Sequence, residues 1–433
     1  MEIKRDVYLD RLIVRKHNGL IKVITGIRRS GKSYLLNTLF YRHLIAENIS
    51  EDHIIKFAFD SAEDLLKIGG DPIVLDNEKE DRKVDPSKFI NWLMPQIKGG
   101  DMYYLLLDEV QKLGAFESVL NGFLRRENLD VYVTGSNSKF LSKDILTEFR
   151  GRGDEVHVLP LSFSEYYAFK QGDKSEAYDD YSVYGGLPAV ALMVTEEQKT
   201  NYLISQMQSL YLRDIVNRYA VQDETALGEV IDVIASGIST LTNPRKIANT
   251  MNTIHGTKTC DATVDRYIGY AEEAFILTRV KRYNVKGRKY IGTPYKIYFE
   301  DVGLRNARLS FRQIEGTHMM ENIIYNELRY RGYQVDVGTV ESREKDSSGK
   351  EIRVQREIDF IASLGSKKYY IQSAYAIPDQ EKYEQETKSF EHTMDSFKKI
   401  IIIEKSMKPR YDEHGYLMMG VKEFLLDANS LLI

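Results

Sequence analysis

Thr25-Gly26-Ile27-Arg28-Arg29-Ser30-Gly31-Lys32-Ser33 contains the full spacing G-x-x-x-x-G-K-[ST], directly after the apolar run Ile21–Thr25 and directly before a helical pattern, Lys32–Ala46. A strand, a glycine-rich turn and a helix in that order make a phosphate cradle. The glycines let the backbone curl so that its N–H groups and the helix N-terminus face anionic oxygens. Lys32 is placed to neutralise β- and γ-phosphate oxygens, and the Ser33 hydroxyl to coordinate Mg²⁺. The nucleotide-holding set read from the motif is Gly26, Arg28, Arg29, Ser30, Gly31, Lys32, Ser33 and Tyr34.

Outward from this loop, between residue 20 and about 160, short apolar runs alternate with helical patterns, the rhythm of βαβ units and a parallel sheet. Strands are expected at Ile21–Thr25, Ile54–Phe59, Tyr104–Leu107, Val131–Val133 and Glu155–Leu159. Helices are expected at Lys32–Ala46, Ser87–Ile97, Phe116–Arg126 and Ser138–Phe149, with Ser61 to Pro86 a long acidic loop. Tyr103-Tyr104-Leu105-Leu106-Leu107-Asp108-Glu109 is a buried strand whose carboxyl end opens on the ligand crevice, so its two acids belong at the phosphate site. Asp108 would hold Mg²⁺ through its waters, and Glu109 would orient or deprotonate the attacking water. Ser136 or Asn137, after the next strand, reads either as a γ-phosphate sensor or as a helix N-cap. Arg150 and Arg152, just before the fifth strand, read either as solvated charges or as a charge facing the γ-phosphate of a neighbouring subunit.

Taken together, these motifs resemble the AAA-type ATPases of the archaeal-ATPase-like group, which carry a C-terminal domain of unknown function related to restriction-endonuclease folds. The matching features are the phosphate loop, Leu107-Asp108-Glu109-Val110-Gln111, Thr134-Gly135-Ser136-Asn137-Ser138, Gly151-Arg152 followed by Leu159-Pro160-Leu161-Ser162-Phe163, and Tyr184-Gly185-Gly186-Leu187-Pro188. The resemblance implies an ASCE-type sheet and an ATPase activity. It names no pathway.

Composition bounds the rest. At 433 residues the chain needs two to four domains, and with 60 Lys+Arg against 64 Asp+Glu its net charge of −4 makes any nucleic-acid binding a local matter. A single cysteine, Cys260, excludes an intramolecular disulfide, and no Cys/His spacing of the zinc type occurs. No apolar run approaches a membrane span, and the charged start Met1-Glu2-Ile3-Lys4-Arg5-Asp6 is unlike a signal segment, so a cytoplasmic protein is expected.

Beyond Pro160 the pattern becomes Tyr-rich and helical, then a helical pair (Pro244–Met251, Thr263–Leu277) precedes two strands, Val280–Tyr283 and Tyr290–Tyr298, the order of a winged helix. Between Arg279 and Lys296 seven Lys/Arg and no acid interleave with Tyr283, Tyr290 and Tyr295: a nucleic-acid contact, or a solvated hairpin in a structural or inter-subunit domain. Asp265, Glu272 and Glu273 on the preceding helix argue against a groove. A helix, Met319–Tyr330, and strands Ile358–Ile361, Tyr369–Ser373 and Lys399–Ile403 follow in the order of a restriction-endonuclease-like core, with Glu327 and Asp359 as acids but Gln372 and Ala374 where Glu-x-Lys is needed. The expected architecture is α/β: a P-loop core at 1–170, a helical lid at 171–225, a winged-helix-like domain at 226–300, and a catalytically degenerate endonuclease-like domain at 301–433. ATP and Mg²⁺ are the expected ligands, with a homo-oligomer if an arginine acts in trans.

Overall fold

β1 (Ile21–Thr25), β2 (Ile54–Ala58), β3 (Tyr103–Asp108), β4 (Leu129–Thr134) and β5 (Gly153–His157) form one sheet in the order β2-β3-β4-β1-β5, every neighbouring pair parallel. This is a computed structural model, and it describes residues 2–70, 83–135, 151–256, 258–345 and 350–433. All five expected strands are present; the expected helix Ser138–Phe149 lies outside the described residues. β1, β3 and β4 are buried along their whole length, which is why they read as unbroken apolar runs. Phe57, Phe59, Phe89, Leu105, Leu107 and Phe123 share one core cluster. Inside the sheet Lys22 of β1 pairs with Asp130 of β4, and Tyr132 Oη at 2.9 Å and the His17 N–H at 3.1 Å complete the carboxylate. A buried charge pair persists only when its remaining lone pairs are filled in this way.

β4 lies between β1 and β3, so the turn after β1, the acids after β3 and the polar end of β4 emerge side by side. The stretch expected to be a loop from Ser61 contains a helix, Ala62–Lys67, capped by Ser61 Oγ on the Asp64 N–H at 3.4 Å. Val84 then bridges to Leu113.

These elements belong to a unit comprising Met1–Pro160, Asn217–Ala220 and Glu273–Phe275; Leu161–Val216, Val221–Glu272 and Ile276–Ile433 form a second. In the second unit helices Phe163–Lys170 and Lys174–Tyr184 pack ring on ring, Phe163 lying 5.6 Å from Tyr178 and 5.5 Å from Tyr181 between ring centroids. The Gly185-Gly186 breaker receives a buried carboxylate. Asp301 caps helix Val302–Arg308 on the Leu304 N–H at 3.0 Å and accepts from the Gly186 N–H at 2.8 Å. A Cβ on Gly185, where φ is +74°, would lie 2.2 Å from Asp301 Oδ1. Burial pushes the Asp301 carboxyl up to about 6.

Helices Glu224–Ser236, Pro244–His255 and Asp261–Glu273 lead into the antiparallel hairpin of β6 (Leu277–Asn284) and β7 (Lys289–Phe299). An antiparallel bridge, Thr242 to Tyr295, ties the segment between the first two helices back to β7. The hairpin continues into a larger sheet, because β6 runs parallel to β8 (Gln334–Lys345) at Arg282–Asn284. With β9 (Glu351–Leu364), β10 (Lys367–Ala374), β11 (Lys398–Ile403), β12 (Arg410–Tyr411) and β13 (Leu417–Gly420) the order is β12-β13-β11-β10-β9-β8-β6-β7. The position expected as a boundary, 300, therefore falls inside the run of chain that builds one sheet. Among the described residues no helix is long and apolar enough to cross a membrane.

Candidate functional site

The turn after β1 needs its glycines. Gly26 has φ +132°, and a Cβ there would sit 2.2 Å from the Val158 carbonyl oxygen; Gly31 takes φ +97° as it caps the helix beginning at Lys32. That helix runs as Lys32–Tyr34, a π-helical Leu35–Phe40 and Tyr41–Ala46, the expected span with one wide turn inside it. Lys32 is 4% exposed, and its Nζ donates to the Gly26 and Ile27 carbonyl oxygens, both at 2.9 Å. Burial pushes its ammonium down to about 8 against the attraction of Glu109 and Asp108, with Arg28 adding to the depression. Among the described residues, the buried Ser30 Oγ has no hydrogen-bond partner. A desolvated cation and an unpartnered hydroxyl in one turn suit an anionic oxygen.

Asp108 collects three donors from two elements. Ser33 Oγ donates to Oδ1 at 3.1 Å, Asn37 Nδ2 to Oδ2 at 3.2 Å, and the Thr134 hydroxyl at the end of β4 to Oδ1. Ser33 and Asn37, four residues apart, present neighbouring side chains on one helix face. Glu109 has a left-handed backbone, φ +52°, which costs a non-glycine residue roughly 1–2 kcal/mol. Its N–H donates to Thr134 Oγ1 at 3.1 Å and its carboxylate accepts from Gln111 Nε2. Asp60, just beyond β2, faces the same charges: burial raises its pKa and Glu109 raises it further. Burial likewise raises Asp108, with Thr134 and Ser33 donating against the shift and Glu109 and Asp60 adding to it. Hard oxygen donors and crowded negative charge are the donor chemistry Mg²⁺ takes.

Lys32, Ser33, Asp108 and Glu109 thus meet; Thr134, quoted only as the start of a motif, joins them, as do Asn37 and Asp60, which were not read from the sequence. Ser136, Asn137 and Arg150 lie outside the described residues. Tyr34 turns to the surface, donating to Glu2 Oε1 at 2.7 Å. Arg152 is exposed and its carbonyl accepts from the Ile21 N–H at 2.9 Å, at the amino ends of β1 and β5. The phosphate turn is at the other end, a five-residue strand or roughly 17 Å away. Arg5, read in the sequence only as part of the charged start, is 2% exposed and braces the turn through the Leu159 carbonyl at 2.6 Å and the Ser30 carbonyl at 3.5 Å.

The seven cations of the hairpin divide. Arg279 is paired with Glu272 and Asp265. Arg282, 7% exposed, donates to the Pro294 carbonyl at 2.9 Å and Gln355 Oε1 at 3.0 Å, and Lys296 is 3% exposed. Lys281, Lys286, Arg288 and Lys289 remain on the surface. Lys296 Nζ lies 2.7 Å from Glu357, 2.8 Å from Glu321 and 3.1 Å from Asp359. Glu327, expected beside Asp359, instead pairs with Arg331 at 2.7 Å, and Glu321 takes that place. Six residues on a helix turn 240° beyond a full revolution, so Glu321 and Glu327 face different neighbours.

Residues 18–167 match the AAA domain family AAA_14, and residues 175–315 match a domain of unknown function, DUF8612. The chain therefore carries an AAA domain. It belongs to the same family as an uncharacterized protein of Haemophilus influenzae, to which it is 34% identical over 410 residues, 93% of this chain and 94% of that one. An uncharacterized protein of Methanocaldococcus jannaschii is 26% identical over 446 residues, 98% of this chain and 89% of that one. The fold is similar to that of a Walker-type ATPase of Pyrococcus abyssi, with a TM-score of 0.50 and 15% identity over 71% of this chain and 96% of the other.

Proposed function

We propose that the chain is a Mg²⁺-dependent ATP hydrolase of ASCE type whose nucleotide cycle drives conformational change in its C-terminal, partner-binding region. The observation that carries this is the meeting of Ser33 and Asp108 at 3.1 Å beside a buried Lys32, with Glu109 one residue on. Gly26, Arg28, Arg29, Ser30, Gly31 and Lys32 cradle the phosphates; Ser33 and Asp108 would hold the Mg²⁺, while Tyr34, next in sequence, points to the surface and takes no part in the cradle. When bound, the metal withdraws charge from the phosphoryl oxygens. Glu109 accepts the proton of the attacking water, and Thr134 and Asn37 keep Asp108 oriented. Asn137 is the γ-phosphate sensor in this reading. Rapid-quench analysis of bound nucleotide tests it: ATP converted to ADP and phosphate supports hydrolysis, whereas ATP held intact identifies a nucleotide-gated switch.

Arg152, remote from its own phosphate turn, acts on the γ-phosphate of another copy, with Arg150 as the alternative. Mixing Arg152→Ala with Lys32→Ala should then restore partial activity that neither shows alone, and activity per subunit should rise with concentration. A rate independent of concentration, with no rescue on mixing, would remove the trans role.

The three helices with their returning strand pair and hairpin support a winged helix, and the helix Gly316–Tyr330, antiparallel β8-β9-β10, helix Gln380–Glu391 and parallel β11 support a restriction-endonuclease-like core. The exposed Lys281, Lys286, Arg288 and Lys289 are the nucleic-acid contacts of the hairpin. The endonuclease-like core does not cut. A cation does stand beside Asp359, but Lys296 is nearly sealed and bound to three carboxylates, while the Gln372 amide is a poor ligand beside carboxylates and Ala374 supplies no charge. Incubation with supercoiled DNA, single-stranded DNA and RNA in Mg²⁺ or Mn²⁺, with and without ATP, should leave each intact; cleavage lost in Asp359→Ala but kept in Lys32→Ala would make the chain an ATP-regulated nuclease.

A further inference from the structure

We propose that the acid-free face of helix Pro244–His255, and not helix Asp261–Glu273, is the surface of the winged-helix-like segment that meets a nucleic-acid duplex. The proposal rests on the nucleic-acid reading of the hairpin given above. Between Asp232 and Asp261 the chain carries no carboxylate side chain, although 64 of its 433 residues are Asp or Glu. The same interval holds Arg245, Lys246, His255 and Lys258.

Burial sorts the helix into two faces. Ile247, Ala248 and Met251 point into the core, and Arg245, Lys246, Asn249, Thr253 and Ile254 are exposed. Arg245, Asn249 and Thr253 recur every four residues and so form one ridge along the helix. A surface hollow of about 520 Å³ lies on that ridge, lined by Asn243, Arg245, Lys246 and Asn249 among others. A second, of about 390 Å³, continues from Lys246 and Thr250 to Thr242 and reaches Ile297 of β7; the one carboxylate in its lining, Asp232, is paired with Arg308 at 2.6 Å. The Thr250 and Thr253 hydroxyls donate back to the Lys246 and Asn249 carbonyls at 3.0 and 2.8 Å, and Lys246 Nζ gives one of its three protons to the Leu241 carbonyl at 3.1 Å, which leaves the Arg245 guanidinium, the rest of the ammonium and the Asn249 amide as the outward donors.

Helix Asp261–Glu273 offers the opposite. Its outer side carries Asp261 and Asp265 beside Arg266, and the single Arg279 is shared between Asp265 and Glu272, so a phosphate approaching it meets an excess of carboxylate. The hairpin tip and the acid-free helix are linked by a stiff strand. Tyr295, bridged to Thr242, stands six residues along β7 from Lys289, about 20 Å at strand rise. That span equals roughly six base pairs of duplex, so one rod reaches both cationic points. The chemistry is that of backbone contacts: position and salt dependence, with little sequence information.

The experiment is fluorescence anisotropy of the full chain with a labelled duplex of about 20 base pairs and a matching single strand, from about 50 to 200 mM salt. Arg245→Gln with Lys246→Gln should reduce the salt slope by about 2 and weaken low-salt binding about tenfold or more, each lost phosphate contact removing roughly 0.9 from the slope. Arg266→Gln, on the outer side of helix Asp261–Glu273, should stay within about twofold of the unmutated chain. Asn249→Asp serves where the double variant melts early, and should weaken binding by placing a negative charge in the middle of the ridge. An unchanged slope in the Arg245/Lys246 variant, with a flattened slope on neutralising Lys286, Arg288 and Lys289, overturns this proposal and leaves the hairpin reading standing. Binding of the single strand alone overturns the duplex, and no binding of either overturns both readings.

Discussion

Lys32→Ala should weaken ATP binding by about 10²–10³-fold and remove turnover with it. The ammonium is buried among backbone carbonyls, and breaking a buried charge pair costs about 3–5 kcal/mol, most of which reaches affinity when the phosphates arrive without their counter-charge. The same burial makes the effect pH-dependent. Lys32 is pushed down to about 8 in the free protein, and bound phosphate raises it. ATP binding therefore takes up a proton above pH 8. Affinity should be level below about pH 8 and fall by up to tenfold per pH unit above it, until the raised pKa of the complex is passed. Titration calorimetry at pH 7 and pH 9, on the unmutated chain and on Lys32→Ala, measures both. Equal affinity in the variant, or a flat profile to pH 9, would show that the phosphates lie elsewhere.

Glu109→Gln should keep ATP affinity and lose turnover by about 10²-fold or more, the scale of a lost general base. The amide preserves size and can still meet Gln111, but it cannot accept the proton of water. Its neighbours make the carboxylate a credible base: Asp108 is occupied by donors from Ser33, Asn37 and Thr134, so it is held for the metal, and Glu109 alone of the pair sits in a left-handed turn, bonded at its backbone to Thr134. Nucleotide retention on a desalting column together with phosphate release separates the two effects. A variant that loses binding and turnover in proportion would make Glu109 a structural residue of the turn.

How much of this could be read in advance depended on how local the signal was. The phosphate turn and Asp108-Glu109 were legible because a loop, its flanking strand and its helix are contiguous in sequence, and β1, β3 and β4 because burial on both faces writes apolar runs. The bonds of Thr134 and Asn37 to Asp108 were not: Thr134 stood in a quoted motif without a role, each reaches Asp108 through the sheet order or through one helical turn, and neither residue type is unusual where it stands. Asp60 needed the pairing of β2 with β3. Arg5 gave no signal among the alternating charges of the first six residues. In the second unit β8 went unread because Glu341, Arg343, Glu344 and Lys345 put charges into four of its last five positions, which breaks the apolar pattern of a strand. The basic hairpin was overcounted for the opposite reason: composition lists charges without showing which have partners, and Arg279, Arg282 and Lys296 are consumed by Glu272, by backbone carbonyls and by Glu321, Glu357 and Asp359. Glu327 was named and Glu321 was not, because helix periodicity alone does not say which face meets the sheet.

The most direct test of the central claim, that ATP is hydrolysed at the Lys32–Ser33–Asp108–Glu109 cluster, is steady-state release of inorganic phosphate by the purified full chain, run beside Lys32→Ala and Glu109→Gln, with Mg²⁺ and with chelator. The account predicts release that needs Mg²⁺ and falls to background in both variants. Release of equal size in all three proteins, or none from the unmutated chain while it binds ATP, would contradict it.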